Sequence, residues 1–395
     1  MIRKSAHGAA NKVSAAGIAR FVASTATRRN QLQHQLIRDL AGTAPEDIVR
    51  EIVRHGLIGV ALPRLSAATK IDGALLGTLT ALAADARRLG AVQHLLTTRL
   101  VRALMDAGIV TLPLKGQPLA VRLYGLTGTR QSGDIDILVR HDQLRSATTV
   151  LRDMGYQAPR DRLDREGRPT LHHVMQGPAG WPDAELHWRI HWYATGFSAQ
   201  MLERARPRPV DGILEPSPGD ELTALLLYYA RDGFAGLKLA CDIAAFADHT
   251  AFAPDPPVLA DVVAEHPELR ASLTAAATVA ERVVGFPADR HLGVGLAGPL
   301  DRRRSLAIRL TNWRALGTKD QRAAEVALID GLLCPPGGLA GFVQRQLISP
   351  YFLETDRAPV ARVVEAVAHL TMVPLRWMYA LLSVGLRRRP EPSDD

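Results

Sequence analysis

The sequence predicts an α+β protein in which a small mixed β-sheet is flanked by a helical N-terminal segment and a mostly α-helical C-terminal domain. Apolar residues recur at helical spacing on both sides of the middle of the chain, whereas alternating strand patterns are confined to residues 92–205. A chain of 395 residues with 47% hydrophobic content can bury more than one core. We therefore divide the chain into residues 1–30, 31–91, 92–205 and 206–395.

Residues 1–30 are predicted to form a mobile basic arm. They contain six lysines and arginines and no acid, and they lack the long apolar run of a secretory signal peptide. The same composition fits an organelle transit peptide, which is the alternative. The whole chain has 48 basic and 40 acidic side chains, a net charge of +8, so this arm supplies most of the excess. The charge is therefore weak support for nucleic-acid binding.

Residues 31–91 are predicted to be helical. A long helix rich in alanine and leucine is expected over residues 75–107, with a break near Gly90. His55 lies in an apolar segment that contains two glycines, and we interpret it as a packing residue and not as a catalytic one.

Cysteine usage indicates a reducing compartment. Cys241 and Cys334 are the two cysteines of the chain and show no metal-site spacing, so neither a disulfide framework nor a structural zinc site is expected. We therefore predict a cytoplasmic protein. The apolar stretch over residues 363–386 raises the question of a membrane, but Pro374 and Arg376 interrupt it. We favour a core helix over a helix that contacts a membrane surface.

A candidate anion site begins the middle region. Residues 110–114 have a strand pattern that ends at Lys115-Gly116, a helix is predicted over residues 117–124, and a glycine-rich loop follows over 125–133. Backbone N–H groups and the dipole at such a helix N-terminus attract anions, and Lys115 adds a positive charge. We therefore expect a phosphate group to bind here.

Two carboxylates follow this loop directly. Asp134 and Asp136 open an apolar, β-branched segment that ends at Val139, and side chains at i and i+2 of a strand project from the same face. Neighbouring carboxylates repel each other, and burying them unpaired is costly. A divalent cation removes both penalties, and carboxylate oxygens suit Mg²⁺ or Mn²⁺. The alternative is an ordinary strand edge with two solvated acids.

A later strand pattern supplies a third carboxylate. Residues 184–192 alternate between polar and apolar, which predicts a strand with four polar residues on one face: Glu185, His187, Arg189 and His191. Residues 171–175 predict a preceding strand, and its adjacent histidines point to opposite faces, so at most one of them can face the acids. The alternative for Glu185 is an amphipathic strand with a polar outer face.

These motifs resemble those of the polymerase-β-type nucleotidyltransferase superfamily. The matching elements are Leu114-Lys115-Gly116, Leu123-Tyr124, Arg130, the segment from Asp134 to Val139, and Glu185-Leu186-His187-Trp188-Arg189. More narrowly, the chain resembles a bacterial family of uncharacterised nucleotidyltransferases, some of which are encoded in biosynthetic clusters for ribosomal peptides such as lasso peptides. The superfamily has Gly-Ser after its first strand, whereas this chain has Gly116-Gln117. The difference implies that this chain binds the phosphates in a different way.

The resemblance implies a role for each motif. The catalytic residues and ligands of Mg²⁺ or Mn²⁺ would be Asp134, Asp136 and Glu185. The nucleotide and its phosphates would contact Lys115, Gly116, Arg130, Gly133, Lys238 and Asp242. Lys238 and Asp242 are four residues apart on a predicted helix, so the alternative is that they simply pair. His187 and Arg189 would support the site. His187 could bind metal or phosphate, and we favour a role in holding Glu185.

The implied activity is metal-dependent transfer of an NMP from an NTP, such as ATP, to a hydroxyl group of a peptide or small molecule. Pyrophosphate would be released, and the reaction would suit the tailoring of a natural product. Two alternatives stay open, namely a phosphotransferase on the same fold and a non-catalytic nucleotide-binding sensor or scaffold. Nucleic acid is not the expected acceptor, because no aromatic and basic platform or known binding module is visible in the sequence.

Overall fold

The computed structural model describes residues 14–157, 171–249, 258–292, 301–314 and 319–338, together with Met378. Over these ranges the protein is mainly helical and is built around a small sheet, which confirms the predicted α+β class. The helices are α1 (14–23), α2 (Ala26–Gly42), α3 (Pro45–Arg54), α4 (Ile58–Ala68), α5 (Gly73–Asp106), α6 (Gly116–Tyr124), α7 (Leu144–Asp153), α8 (Thr195–Arg204), α9 (Pro218–Arg231), α10 (Lys238–Asp248), α11 (Val258–Glu265), α12 (Arg270–Val284), α13 (Ala288–Leu292), α14 (Arg302–Leu310) and α15 (Lys319–Leu333).

The main sheet has four strands in the order β1-β2-β4-β3. The strands are β1 (Thr111–Pro113), β2 (Asp134–Val139), β3 (His172–Met175) and β4 (Asp183–His187), and a separate ribbon pairs β5 (Arg206–Pro207) with β6 (Leu214–Glu215). The two outer pairs are antiparallel, whereas the central pair, β2 and β4, is parallel. The predicted mixed sheet is therefore present, and the predicted strand over residues 171–175 corresponds to β3, which pairs with β4 as an antiparallel hairpin.

The two faces of the sheet carry different side chains. Ile137 of β2 and Leu186 of β4 point to one face, where they are buried in an apolar cluster with residues of α5 and α7. Asp136 and His187 point to the other face, because successive strand residues project to opposite sides. The Tyr228 ring of α9 lies 6.3 Å from the His187 ring on that side. The polar side chains of the sheet thus face α9, one of the C-terminal helices.

Helix α1 joins the core instead of forming part of a mobile arm. Ile18 is buried in the apolar cluster that also contains residues of α9 and α12. The Arg20 guanidinium donates hydrogen bonds to the backbone oxygens of Val283 and Arg282, both at 2.8 Å. The prediction of a mobile arm is therefore wrong from residue 14 onward, because apolar residues interleaved with the basic ones pack against the C-terminal helices. Residues 1–13 lie outside the described ranges.

Helix α5 continues through Gly90, so the predicted break is wrong. The helix also crosses the boundary placed between residues 91 and 92. Glycine is required at position 90 for close packing, because a Cβ atom added there would lie 2.3 Å from the Gly128 backbone nitrogen. Gly128 itself has a φ of +75°, in the left-handed region that favours glycine. The two glycines let the loop before β2 pack directly against α5.

Replacing Gly90 by alanine should lower the free energy of unfolding by about 1–3 kcal/mol, because the added methyl group would overlap the backbone of Gly128. Gly77 of the same helix is exposed, and an added Cβ would meet nothing within 4 Å. Gly77→Ala is therefore the matched control and should stabilise the protein by about 0.5–1 kcal/mol. Urea unfolding measures both variants, and equal effects would contradict the contact described here.

Strand β4 is shorter than its alternating pattern predicts. It ends at His187, and the seven residues before α8, 188–194, belong to neither strand nor helix. Arg189 and His191 therefore do not continue the strand, and the prediction that they share a strand face with Glu185 is wrong. The hydrogen-bonded ladders of β4 with β2 and with β3 both stop at His187. An alternating sequence pattern does not show where such pairing ends.

The apolar stretch over residues 363–386 lies outside the described ranges, apart from Met378. None of the helices in the described part of the chain is long and apolar enough to span a lipid bilayer. Cys241 and Cys334 are both buried free thiols.

Candidate active site

Three carboxylates meet on the polar face of the sheet. Asp136 of β2 lies directly opposite Glu185 of β4 in the parallel register, and Asp134 precedes Asp136 by two residues on the same strand. One oxygen of each carboxylate lies within 4.8 Å of the other two. Asp136 is buried, whereas Asp134 and Glu185 are partly exposed. Pairing between two strands that are distant in sequence thus assembles the trio of acids.

His187 contacts two members of the trio. Its Nε2 atom is 2.9 Å from Asp136 Oδ1 and 3.2 Å from Glu185 Oε2. Burial acts to raise the pKa of Glu185, but the hydrogen bond with His187 and the nearby imidazole of His172 lower it to about 2. Burial also acts to raise the pKa of Asp136, but Lys115 and His187 hold it well below its ordinary value. Both carboxylates are therefore ionised at neutral pH.

Lys115 and Gly116 bring the start of α6 to the carboxylates. The Lys115 ammonium nitrogen is 2.9 Å from Asp136 Oδ1. Gly116 begins α6 with a φ of +71°, which favours glycine, and a Cβ added there would lie 3.7 Å from Ser132 Oγ. Ser132 Oγ in turn donates a hydrogen bond to Asp134 Oδ1 at 3.2 Å. The free backbone N–H groups of this helix terminus therefore lie in the same region as the acids.

Gln117, which follows Gly116 at the start of α6, organises the loop before β2. Its buried amide nitrogen donates to the Arg130 backbone oxygen at 3.1 Å and to Gln93 Oε1 at 3.0 Å, and its oxygen accepts from the Gly128 N–H at 2.7 Å. Gln93 donates to the Asp134 backbone oxygen at 2.7 Å. Because these bonds use both amide atoms, Gln117 acts as a support for the loop.

Arg130 is bound within the protein. Its Nε donates to Asp242 Oδ2 at 2.7 Å, and the two side chains are 3% and 2% exposed. Tyr124 donates its hydroxyl hydrogen to Asp242 Oδ1 at 3.0 Å. Asp242 thus forms its ion pair with Arg130 and not with Lys238. This buried pair ties the loop before β2 to helix α10.

Lys238 is a half-buried cation close to the trio. A Cβ added to Gly56, in the turn between α3 and α4, would lie 3.3 Å from Lys238 Cδ. Burial lowers the pKa of Lys238 and repulsion from Arg130 lowers it further, whereas Asp242 and Asp134 act in the opposite direction. Within the described ranges, no carboxylate forms an ion pair with it at salt-bridge distance. A phosphate group would be a suitable partner for this ammonium group.

Two residues of α9 at this site were not singled out in the sequence. Tyr228 contacts two cations, because its ring centre is 4.3 Å from Lys115 Nζ and 4.7 Å from the Arg231 guanidinium carbon. Burial acts to lower the pKa of Arg231, but Asp232, Tyr228 and Asp136 raise it. The available signal was a charged residue at the C-terminal end of a helix that is mostly apolar after its acidic first turn.

Two other predicted site residues contribute no ligand to the trio. Gly133 precedes β2, and an added Cβ there would meet nothing within 4 Å, so the backbone geometry does not require glycine. The Arg189 guanidinium lies 4.4 Å from the centre of the Trp188 ring, beyond the end of β4.

The carboxylate trio fits a divalent cation. Asp136 Oδ1 is contacted by Lys115 and His187, but Asp136 Oδ2 is buried and has no hydrogen-bond partner. A buried carboxylate oxygen without a partner is costly, and a cation would remove that cost. Asp134 and Glu185 each offer a further oxygen within 4.8 Å. The donors are therefore the hard oxygen ligands that Mg²⁺ and Mn²⁺ prefer.

Two comparisons with known proteins bear on the family of this chain. A search of curated proteins finds no match to the chain. A family model described as an uncharacterised nucleotidyltransferase matches residues 42–285, which include the whole sheet and all three acids. Because the match spans more than half of the chain, this protein belongs to that nucleotidyltransferase family and is a transferase.

Proposed function

We propose that this enzyme transfers an NMP from an NTP to a hydroxyl group of a peptide or small-molecule acceptor and releases pyrophosphate. The carboxylate trio carries the proposal, because Asp136 and Glu185 pair across parallel strands, Asp134 lies beside them, and one buried oxygen of Asp136 lacks a partner. Membership of the family supplies the reaction class. The resemblance to enzymes of ribosomal-peptide clusters favours a role in natural-product tailoring.

Asp134, Asp136 and Glu185 would hold Mg²⁺ or Mn²⁺. When bound, the cation supplies Lewis-acid stabilisation of the charge on the phosphates. Because its pKa is only about 2, Glu185 is suited to binding a cation and is a weak base. His187 would keep Asp136 and Glu185 in place through its contacts with both carboxylates.

The triphosphate would bind among the cations that surround the trio. Lys115 stands at the N-terminus of α6, Arg231 ends α9 and Lys238 begins α10. Their positive charges and the free N–H groups of α6 complement phosphate oxygens. Arg130 would contribute indirectly, because its guanidinium is already bound to Asp242 and holds the loop that leads to the acids.

Mass spectrometry of reaction mixtures tests the proposal. The enzyme would be incubated with Mg²⁺ and each NTP, alone and with a cell extract or candidate peptides. We expect an acceptor heavier by one NMP together with pyrophosphate, and neither product with Asp134→Asn. An acceptor heavier by one phosphate together with NDP would identify a phosphotransferase instead. Tight NTP binding without any product would indicate a nucleotide sensor.

Lys238→Met should weaken NTP binding by about tenfold to a hundredfold, because a charge-assisted hydrogen bond is worth about 1.5–3 kcal/mol. Lys70→Met is the control, since Lys70 is exposed in the turn before α5. Calorimetric titration with a non-hydrolysable NTP analogue gives the two dissociation constants. If Lys238→Met binds the analogue as tightly as the wild type does, Lys238 does not contact phosphate.

A further inference from the structure

Strands β3 and β4 bring two histidines together next to the carboxylate trio. His172 of β3 lies directly opposite His187 of β4 in the antiparallel register, and their ring centres are 4.8 Å apart. Directly opposed residues share a face of the sheet, and Glu185, two residues before His187, shares it as well. His173 points to the opposite face, where it pairs in register with the core residue Leu186.

The spacing of these side chains suits one metal ion. His187 Nε2 lies 3.2 Å from Glu185 Oε2, and His172 Nε2 lies 3.7 Å from Glu185 Oε1. One ligand atom of each residue lies within 4.8 Å of the other two. Ligand atoms that are each ~2.0–2.1 Å from a tetrahedral ion are about 3.3 Å from one another. Only small rearrangements would therefore bring the three side chains into a shared coordination shell.

His187 is buried and His172 is partly buried, so both rings are held in place by the surrounding protein. The His187 side chain is completely buried, and the Nδ1 atoms of both His187 and His172 are buried without a hydrogen-bond partner. In both rings the nitrogen that faces Glu185 is Nε2, so Nε2 is the atom that would bind the ion. On metal binding, His187 Nε2 would exchange its contact with Asp136 Oδ1 for the ion.

We propose that His172, His187 and Glu185 form a second metal site, which takes a divalent transition-metal ion such as Zn²⁺, Fe²⁺ or Co²⁺. Two imidazoles and one carboxylate select such ions over Mg²⁺, which prefers a shell of oxygens. Glu185 belongs to both sites, with Oε2 toward His187 and Oε1 toward His172. The proposal concerns metal binding in the absence of nucleotide, so it does not depend on the proposed transfer reaction.

Cobalt titration of the full chain tests this site without an activity assay. Excess Mg²⁺ would first occupy the carboxylate trio, and Co²⁺ binding would then be followed by visible absorption. We expect one Co²⁺ per chain that Mg²⁺ does not displace. His172→Gln should weaken Co²⁺ binding by at least about tenfold. His141→Ala, which removes an exposed histidine, should bind Co²⁺ as the wild type does.

Asp134→Asn separates the two sites, because Asp134 belongs to the trio alone. This variant should keep the Co²⁺ absorption even though it should lose nucleotidyl transfer. Unchanged Co²⁺ affinity and absorption in His172→Gln would overturn the proposal, and so would complete displacement of Co²⁺ by Mg²⁺. X-ray absorption of the Zn²⁺-loaded wild-type protein avoids any question about folding of the variants. We expect imidazole scattering in its spectrum, and a shell of oxygens alone would equally overturn the site.

Discussion

Asp136→Asn should lower the rate of nucleotidyl transfer by at least about a thousandfold. The Oδ2 atom of Asp136 is buried and has no hydrogen-bond partner, and its Oδ1 atom contacts Lys115 and His187. An asparagine keeps the size of the side chain but removes the charge that would hold the cation. Metal stabilisation of the transition state is worth several kcal/mol, and each 1.36 kcal/mol corresponds to a factor of ten in rate.

Asp142→Asn is the matched control for this experiment. Asp142 is exposed, and its carboxylate pairs with Arg140 at the surface. We expect its activity to stay within about twofold of the wild type, since surface substitutions usually change energies by less than 0.5 kcal/mol. Circular dichroism and thermal melting would establish that both variants are folded. Full activity in a folded Asp136→Asn enzyme would contradict the assignment of the trio.

Asp242→Ala should reduce the free energy of unfolding by about 3–5 kcal/mol. The substitution would leave the Arg130 guanidinium buried without its partner and would remove the acceptor of the Tyr124 hydroxyl. A single buried charge is far more costly than a buried pair. Urea unfolding at neutral pH measures the loss relative to the wild type.

A double variant separates the stability of this pair from its effect on the nucleotide. Arg130→Met combined with Asp242→Leu removes both charges of this pair, so it should recover most of the lost stability. Because the structure assigns Arg130 to support of the loop, we expect the double variant to keep NTP binding within a few-fold of the wild type. Equal instability of the single and double variants would show that the buried charge is not the cause.

Local patterns in the sequence account for the arrangement of the acids. The i, i+2 spacing of Asp134 and Asp136 and the strand pattern around Glu185 each predict which face a side chain occupies. The turn at Lys115-Gly116 likewise predicts the start of α6. These predictions depend on neighbouring residues along the chain, and the polar face of the sheet follows from them once β2 and β4 pair.

Other parts of the site depend on contacts between distant segments, which a single sequence does not disclose. Arg231 and Tyr228 belong to a helix whose pattern predicts only a core. The ion pair between Arg130 and Asp242 joins residues more than a hundred positions apart. The burial of α1, where Ile18 is fully covered, likewise requires the C-terminal helices. In each case tertiary packing decides whether a charged or apolar side chain is exposed.

The position of the transferred label is the most direct test of the central claim. The enzyme would be given Mg²⁺, the acceptor-containing extract and an NTP labelled at either the α- or the γ-phosphorus, with Glu185→Gln assayed in parallel. Attack at the α-phosphorus predicts that the α-label joins the acceptor and the γ-label leaves in pyrophosphate, and that Glu185→Gln loses both. Transfer of the γ-label to the acceptor, or unchanged transfer in Glu185→Gln, would contradict nucleotidyl transfer by the carboxylate trio.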